Sequence, residues 1–254
     1  MGERRRINKG GQVTIFIIIA IIIVAAGILI YSFYPQIKTT LGGGEKNPEA
    51  YIQTCIEQDI KDAVEKVSIQ GGSVNPLNSI VYEDTKIEYL CYTEEDYLPC
   101  VVQQPMLKQH TESEIKKEIE NNVDSCFTLM KESYQKGGYE VDLKKGEKKI
   151  ELLPSKIVST FNYSLTLTKG GTQRYDSFVV VLNNNLYELE AIANSIIEWE
   201  ATYGEAEPTT YMAYYHNLKV EKITKGSGEK IYILTDRRTG NKFQFAIKGQ
   251  IWVD

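Results

Sequence analysis

Histidine and tryptophan are scarce in this chain of 254 residues, two of each, and its four cysteines include no Cys-x-x-Cys pair. His110 and His216 also lie far apart. That removes the usual donor set of a zinc site, in which closely spaced thiolates and imidazoles surround the metal. It leaves few bases for a serine or cysteine hydrolase, and no G-x-S-x-G is present to supply the nucleophile. Walker-type phosphate loops are missing too, so Gly71-Gly72 and Gly170-Gly171 read as cap and turn glycines, and no cofactor is expected. Charge is unevenly distributed. Residues 1–12 carry Arg4, Arg5, Arg6 and Lys9 against Glu3, a net +3, so the remainder of a chain that is −5 overall carries −8. Phosphate backbones need a cationic face to displace their counterions, which makes nucleic acid a poor partner.

What the chain does have is one unbroken apolar run. From Val13 to Tyr34 it reads VTIFIIIAIIIVAAGILIYSFY, without a charge. At about 1.5 Å per residue this run spans roughly 33 Å, against a hydrocarbon core of about 30 Å. Backbone amides inside lipid must be bonded within the segment, so the run is expected to be a transmembrane helix. Tyr31, Phe33 and Tyr34 suit the headgroup region, and Pro35 stops the helix. A cleaved signal peptide has a shorter apolar core and a small-residue cleavage site, unlike the Ser-Phe-Tyr-Pro found here. The basic flank keeps residues 1–12 in the cytoplasm and sends the chain beyond the span to the outside. The expected plan is a basic leader (1–12), a span (13–34), a Gly-rich linker (35–47), and an ectodomain with a helical part (48–138) and a β-rich part (139–254).

The opening INKGGQVTIFIIIAIIIVAAG resembles the class III signal segment of archaeal type IV pilin-like proteins. Lys9, Gly10, Gly11 and Gln12 match the basic residue, the glycine before the cleavage site and the Gln that often opens the apolar helix, and Thr14 matches a frequent Ser or Thr. The resemblance implies processing at Gly10 or Gly11 and a role as an assembly subunit. Two positions depart from it: Gly10, not a basic residue, precedes Gly11, and Phe16 stands where many pilins place a Glu. The layout of leader, span and Cys-bearing helix ending in Gln-Gly-Gly is also similar to a group of single-span anchored proteins from small-genome archaea.

Within the ectodomain, AYIQTCIEQDIKDAVEKVSIQ has apolar residues at helical spacing, with Asn47 as cap, Pro48 in the first turn and Gly71-Gly72 at the end. A second amphipathic helix is predicted from about Ser113 to Lys136. It has Ile115, Ile119, Val123, Cys126, Leu129 and Met130 on one face, and Thr111 and Glu114 at capping-box spacing. A third runs from Leu186 to Tyr203, with Trp199 counted among its core residues. Strands are predicted at 80–92, broken near Glu83–Thr85, and in YEVDL, KKIELL, KIVSTFNYSLTLT, YDSFVVVL, NLKVEKIT and EKIYILTD, followed by a last hairpin KFQFAIK–QIWV. Three helices beside a mainly antiparallel sheet make the expected class α+β.

Four thiols in an exported domain are normally paired, and of the three pairings Cys55–Cys126 with Cys91–Cys100 is favoured: the first staples two helices, the second closes a short loop. Asn162-Tyr-Ser164 is a glycosylation sequon. Tyr211, Tyr214, Tyr215 and His216, in the run YMAYYH, form a candidate patch for stacking on sugars or a partner chain; the bland alternative is a core or edge strand with wet hydroxyls. Glu94-Glu95-Asp96 lacks the spaced oxygens of a calcium loop and reads as a solvated turn. Glu188, Glu190, Glu198 and Glu200 read as the solvated face of the third helix, or as the acids of a glycan hydrolase if two of them line a pocket. The leading expectation is an anchored, non-enzymatic surface protein that touches lipid through residues 13–34, binds a protein or another envelope component, and is able to oligomerise. A pilin-like subunit and an envelope hydrolase acting on glycans are the alternatives.

Overall fold

The computed structural model describes residues 47–95, 98–226 and 228–249, together with Ile19. The chain divides into two units, Met1–Asn47 and Pro48–Asp254. The leader, the apolar run (Ile19 apart), the linker up to residue 46, and Gly10, Gly11 and Gln12 lie outside the described residues, as do Asp96 and the closing residues 250–254. Among the described residues no helix is long and apolar enough to cross a membrane.

The second unit is α+β. Helix α1 (Pro48–Ile69) buries Ile52, Ile56, Ile60, Val64 and Val67, the row that spacings of three and four place on one face. It ends where Gly71 takes a positive φ of 82° and packs so closely that a Cβ there would sit 2.9 Å from that of Glu88. Helix α2 (Leu107–Lys136) begins six residues before the predicted start, after Met106, which makes no side-chain cap bond. Starting early buries Leu107. Thr111 is therefore an interior helical residue and the predicted capping box is absent; Glu114 instead accepts from Val74 N at 3.1 Å. Leu129, expected on the inner face, is exposed.

Twelve strands are described: β1 (Ser79–Tyr82), β2 (Thr85–Tyr92), β3 (Val101–Val102), β4 (Glu140–Lys144), β5 (Lys148–Leu153), β6 (Lys156–Phe161), β7 (Ser164–Thr168), β8 (Thr172–Tyr175), β9 (Phe178–Asn183), β10 (Leu218–Thr224), β11 (Glu229–Asp236) and β12 (Lys242–Lys248). The break near Glu83 is a two-residue turn in which Glu83 and Asp84 both have positive φ, the twist a tight hairpin requires. Instead of one sheet there are three: β1-β2-β12-β11-β10 with β3 beside β2, β4-β7-β8, and β5-β6-β9. KIVSTFNYSLTLT divides between the two smaller sheets because the chain leaves β6 at Asn162 and enters β7 at Ser164. The pairings are antiparallel except β12 with β2, which are parallel. That pairing slots a late strand beside an early one, so the helical and β-rich halves of this unit share one sheet.

Helix α3 (Leu186–Tyr203) and a short fourth helix, α4 (Pro208–Tyr214), complete the unit. The core lies where α1 and α3 meet β12 and where α2 meets β5. Cys55 is bonded to Cys126 and Cys91 to Cys100, joining α1 to α2 and closing the loop between β2 and β3. Such bridges suit an oxidising compartment.

Candidate functional site

An aromatic-rimmed hollow is built around the start of α3. Asn184 Oδ1 caps this helix by accepting from Leu186 N at 2.8 Å, which frees the neighbouring Asn185 for another task. The Asn185 amide is buried and reaches the β11–β12 turn: Nδ2 donates to Asp236 at 2.8 Å, and Oδ1 accepts from Asn241 at 2.6 Å. One turn on, Glu188 accepts from both the backbone N (2.8 Å) and the hydroxyl (3.1 Å) of Ser155, in the turn between β5 and β6. Two turns distant in sequence are thereby pinned to one helix end.

The opposite wall comes from the end of α4. Glu207 caps that helix, accepting from Thr209 N at 3.2 Å and its hydroxyl at 2.8 Å, and Pro208 opens it. YMAYYH is thus helical up to Tyr214, not a core or edge strand; the Glu-Pro-Thr start outweighs the strand preference of its tyrosines. Tyr214 and Tyr215 stand out at 78% and 44% exposure, with ring centroids 4.8 Å apart and planes at 77°. Between the walls lies a cleft of about 530 Å³ whose floor includes Leu189, Ile192 and Leu218, and whose rim includes Tyr187, His216 and Arg238. Tyr211, the fourth member of the predicted patch, does not line the cleft; its hydroxyl meets Ser195 at 3.2 Å.

The cleft has two carboxylates: Asp236 is hydrogen-bonded throughout, and Glu188 through one of its oxygens. Asp236 accepts from Asn185, from Arg238 N at 2.7 Å and from Thr239 N at 2.9 Å. Glu188 gives Oε1 to Ser155, and its Oε2 is buried without a hydrogen-bond partner among the described residues. The groups left facing outward are the Tyr214 and Tyr215 rings and the exposed side chains of His216, Asn217 and Arg238. Such a surface offers ring faces and hydrogen-bond donors on an apolar floor, the composition of a small-molecule or glycan site.

The other glutamates of α3 are elsewhere. Glu198 is exposed as expected, but Glu190 and Glu200 are buried at 2% and 1% exposure, against the expectation of a solvated face. Glu190 follows Leu186 by four residues and Glu200 follows Ile196 by four, so both are in phase with the core row; the spacing was the missed signal. Glu200 accepts from Ala206 N at 2.9 Å, from the Tyr232 hydroxyl and from Lys230 at 2.6 Å. Burial, then the Glu200 charge, raises the Tyr232 pKa. Among the described residues neither Glu190 oxygen makes a hydrogen bond of normal geometry, and burial, opposed by the nearby Thr111 hydroxyl, pushes its pKa up to about 8. Trp199, expected in the core, is half exposed and packs on Tyr203 with centroids 4.6 Å apart.

A serine and a histidine that lie far apart in the chain and share no motif do meet. Ser73 Oγ lies 2.7 Å from His110 Nε2 and donates to Glu88. Because the single hydroxyl proton goes to Glu88, Nε2 must be the donor in the contact with His110. That is the reverse of what a general base needs, and Ser73 is only 4% exposed. The trio is a clamp holding the loop after α1 between β2 and α2.

Asn162 is exposed in the connection between β6 and β7, outside any strand. Glu94 and Glu95 are exposed in a bend. Among the described residues no group of three or more His, Cys, Asp or Glu is placed to hold a metal ion. Comparison with known proteins gave no match: no family model, curated protein or solved structure aligns significantly with this chain.

Proposed function

We propose that this is a single-pass, membrane-anchored binding protein of the cell surface, held by residues 13–34, with the Tyr214–Tyr215 cleft as its ligand site. The observation that carries the reading is the state of the cleft: its rings and donors face outward, while Asp236 is hydrogen-bonded into its turn and Glu188 holds the Ser155 turn with one oxygen and buries the other. Asp236, with three internal donors, is poorly placed to activate water, and Glu188 supports the β5–β6 turn, so binding fits this geometry better than hydrolysis. The apolar run and its basic flank support an outward-facing domain, and the two disulfides suit that compartment.

Extraction and labelling test the topology. The full-length protein should stay with membranes through an alkaline wash, and protease added to intact cells should degrade residues 48–254. Recovery in the soluble fraction, or protection from external protease, overturns the reading. The pilin-like variant of this proposal rests on Lys9–Gln12, and the N-terminal residue of the membrane-purified protein decides it: a start after Gly10 or Gly11 supports processing, whereas Met1 rejects it.

A further inference from the structure

We infer that the ligand of the cleft is a glycan, an inference that rests on the binding role proposed for the same site. Hexose rings present an apolar face of axial C–H bonds and a rim of hydroxyls. The C–H face is attracted to the negative face of an aromatic ring, and the hydroxyls need planar donors and acceptors at the edge. The cleft supplies both. Tyr214 and Tyr215, set at 77° to each other, present two ring faces in different planes, so one can lie under a sugar while the other closes its side. Asn217 and Arg238 add an amide and a fork of guanidinium donors at the rim, a match for paired hydroxyls or a carboxylate.

Other ligand classes fit less well. A cationic ligand or metal ion would need accessible carboxylate oxygens, but Asp236 is held by Asn185, Arg238 N and Thr239 N, and Glu188 gives one oxygen to Ser155 and buries the other. An extended peptide is usually taken up on a free strand edge. Here the walls are helix ends and turns, and β10, the nearest edge strand, is packed against by α4. Nucleic acid is disfavoured by the −8 carried beyond residue 12.

Calorimetric titration of the purified full-length protein with short neutral oligosaccharides, short uronate oligosaccharides and unstructured peptides tests this. Saturable oligosaccharide binding is expected, weakened about tenfold by Tyr214→Ala or Tyr215→Ala and unchanged by Trp199→Ala, which removes an exposed ring outside the cleft. Arg238→Ala separates the sugar types: a loss confined to uronates marks an acidic glycan, and equal losses mark hydroxyl recognition. Both tyrosines are exposed, so their variants should keep the wild-type circular dichroism. Peptide binding that is lost in Tyr214→Ala, with no oligosaccharide bound, overturns the glycan inference and leaves the binding cleft standing. If nothing in the panel binds, or if Trp199→Ala weakens binding as much as Tyr214→Ala, the cleft falls as well.

Discussion

The ammonium of Lys230 lies 2.6 Å from the carboxylate of Glu200, and both side chains are almost wholly buried, at 6% and 1% exposure. The pair ties the last turn of α3 to β11, with the Tyr232 hydroxyl donating to the same carboxylate. Removing one partner of a buried pair strands the other charge, which costs about 3–5 kcal/mol, whereas replacing both with apolar groups is close to neutral. Lys230→Met should therefore lower the thermal midpoint sharply, and adding Glu200→Gln, which removes the stranded charge but keeps an acceptor for Ala206 N and the Tyr232 hydroxyl, should recover part of the loss. Equal losses in the single and double variants would show that the charges do not act as a pair.

Glu190 should make stability fall as pH rises. Burial holds its folded pKa at about 8 against the ordinary 4.5 of a glutamate, so the folded state keeps a proton that the unfolded chain releases. Its contribution is fully present below about pH 4.5 and is lost progressively up to pH 8. The charged groups facing it are Glu112, which opposes ionisation, and Lys108, which favours it. Urea unfolding of Glu190→Gln across pH 5 to 9 should show a flatter profile than wild type, the gap reaching roughly 3–5 kcal/mol at the alkaline end. Parallel profiles would contradict this.

The bridge from Cys55 to Cys126 closes a stretch of 71 residues, and that from Cys91 to Cys100 only 9. On the chain-entropy model these contribute about 4 and 2.5 kcal/mol. The Cys55→Ser, Cys126→Ser double variant should therefore unfold at a lower temperature than the Cys91→Ser, Cys100→Ser variant. The opposite order, read by calorimetry, would mean that native packing around the smaller loop dominates.

Gly146 is the glycine least open to change. A Cβ built there falls 1.8 Å from the carbonyl oxygen of Asn162, a backbone atom that cannot swing away. Gly146→Ala should destabilise by more than about 3 kcal/mol, while Gly171→Ala, where no atom lies within 4 Å and φ is not positive, should cost less than half as much. Similar thermal shifts for the two would show that the loop carrying Gly146 relaxes freely.

Local features of the fold were legible in the chain. Ile52, Ile56, Ile60 and Val64 mark a helix face, Glu83-Asp84 marks a tight turn, and the four cysteines pair as their compartment suggests. What escaped was set by tertiary context. Helix α2 starts early because Leu107 finds a core, which no capping rule foresees. Strand β12 joins β2 across most of the domain's length, so the division into three sheets is invisible to local pattern. The cleft is assembled from Ser155, the start of α3, the end of α4 and Asp236, segments that share no motif; only Tyr214, Tyr215, His216 and Glu188 could be picked out beforehand.

Photo-crosslinking in intact membranes tests the central claim most directly. A photoreactive phenylalanine at position 215, on the cleft, is compared with one at position 129, on the exposed face of α2. The account predicts an adduct from position 215 that an excess of short oligosaccharides suppresses, and none from position 129. Equal adducts at both positions, or one at 129 alone, would contradict it.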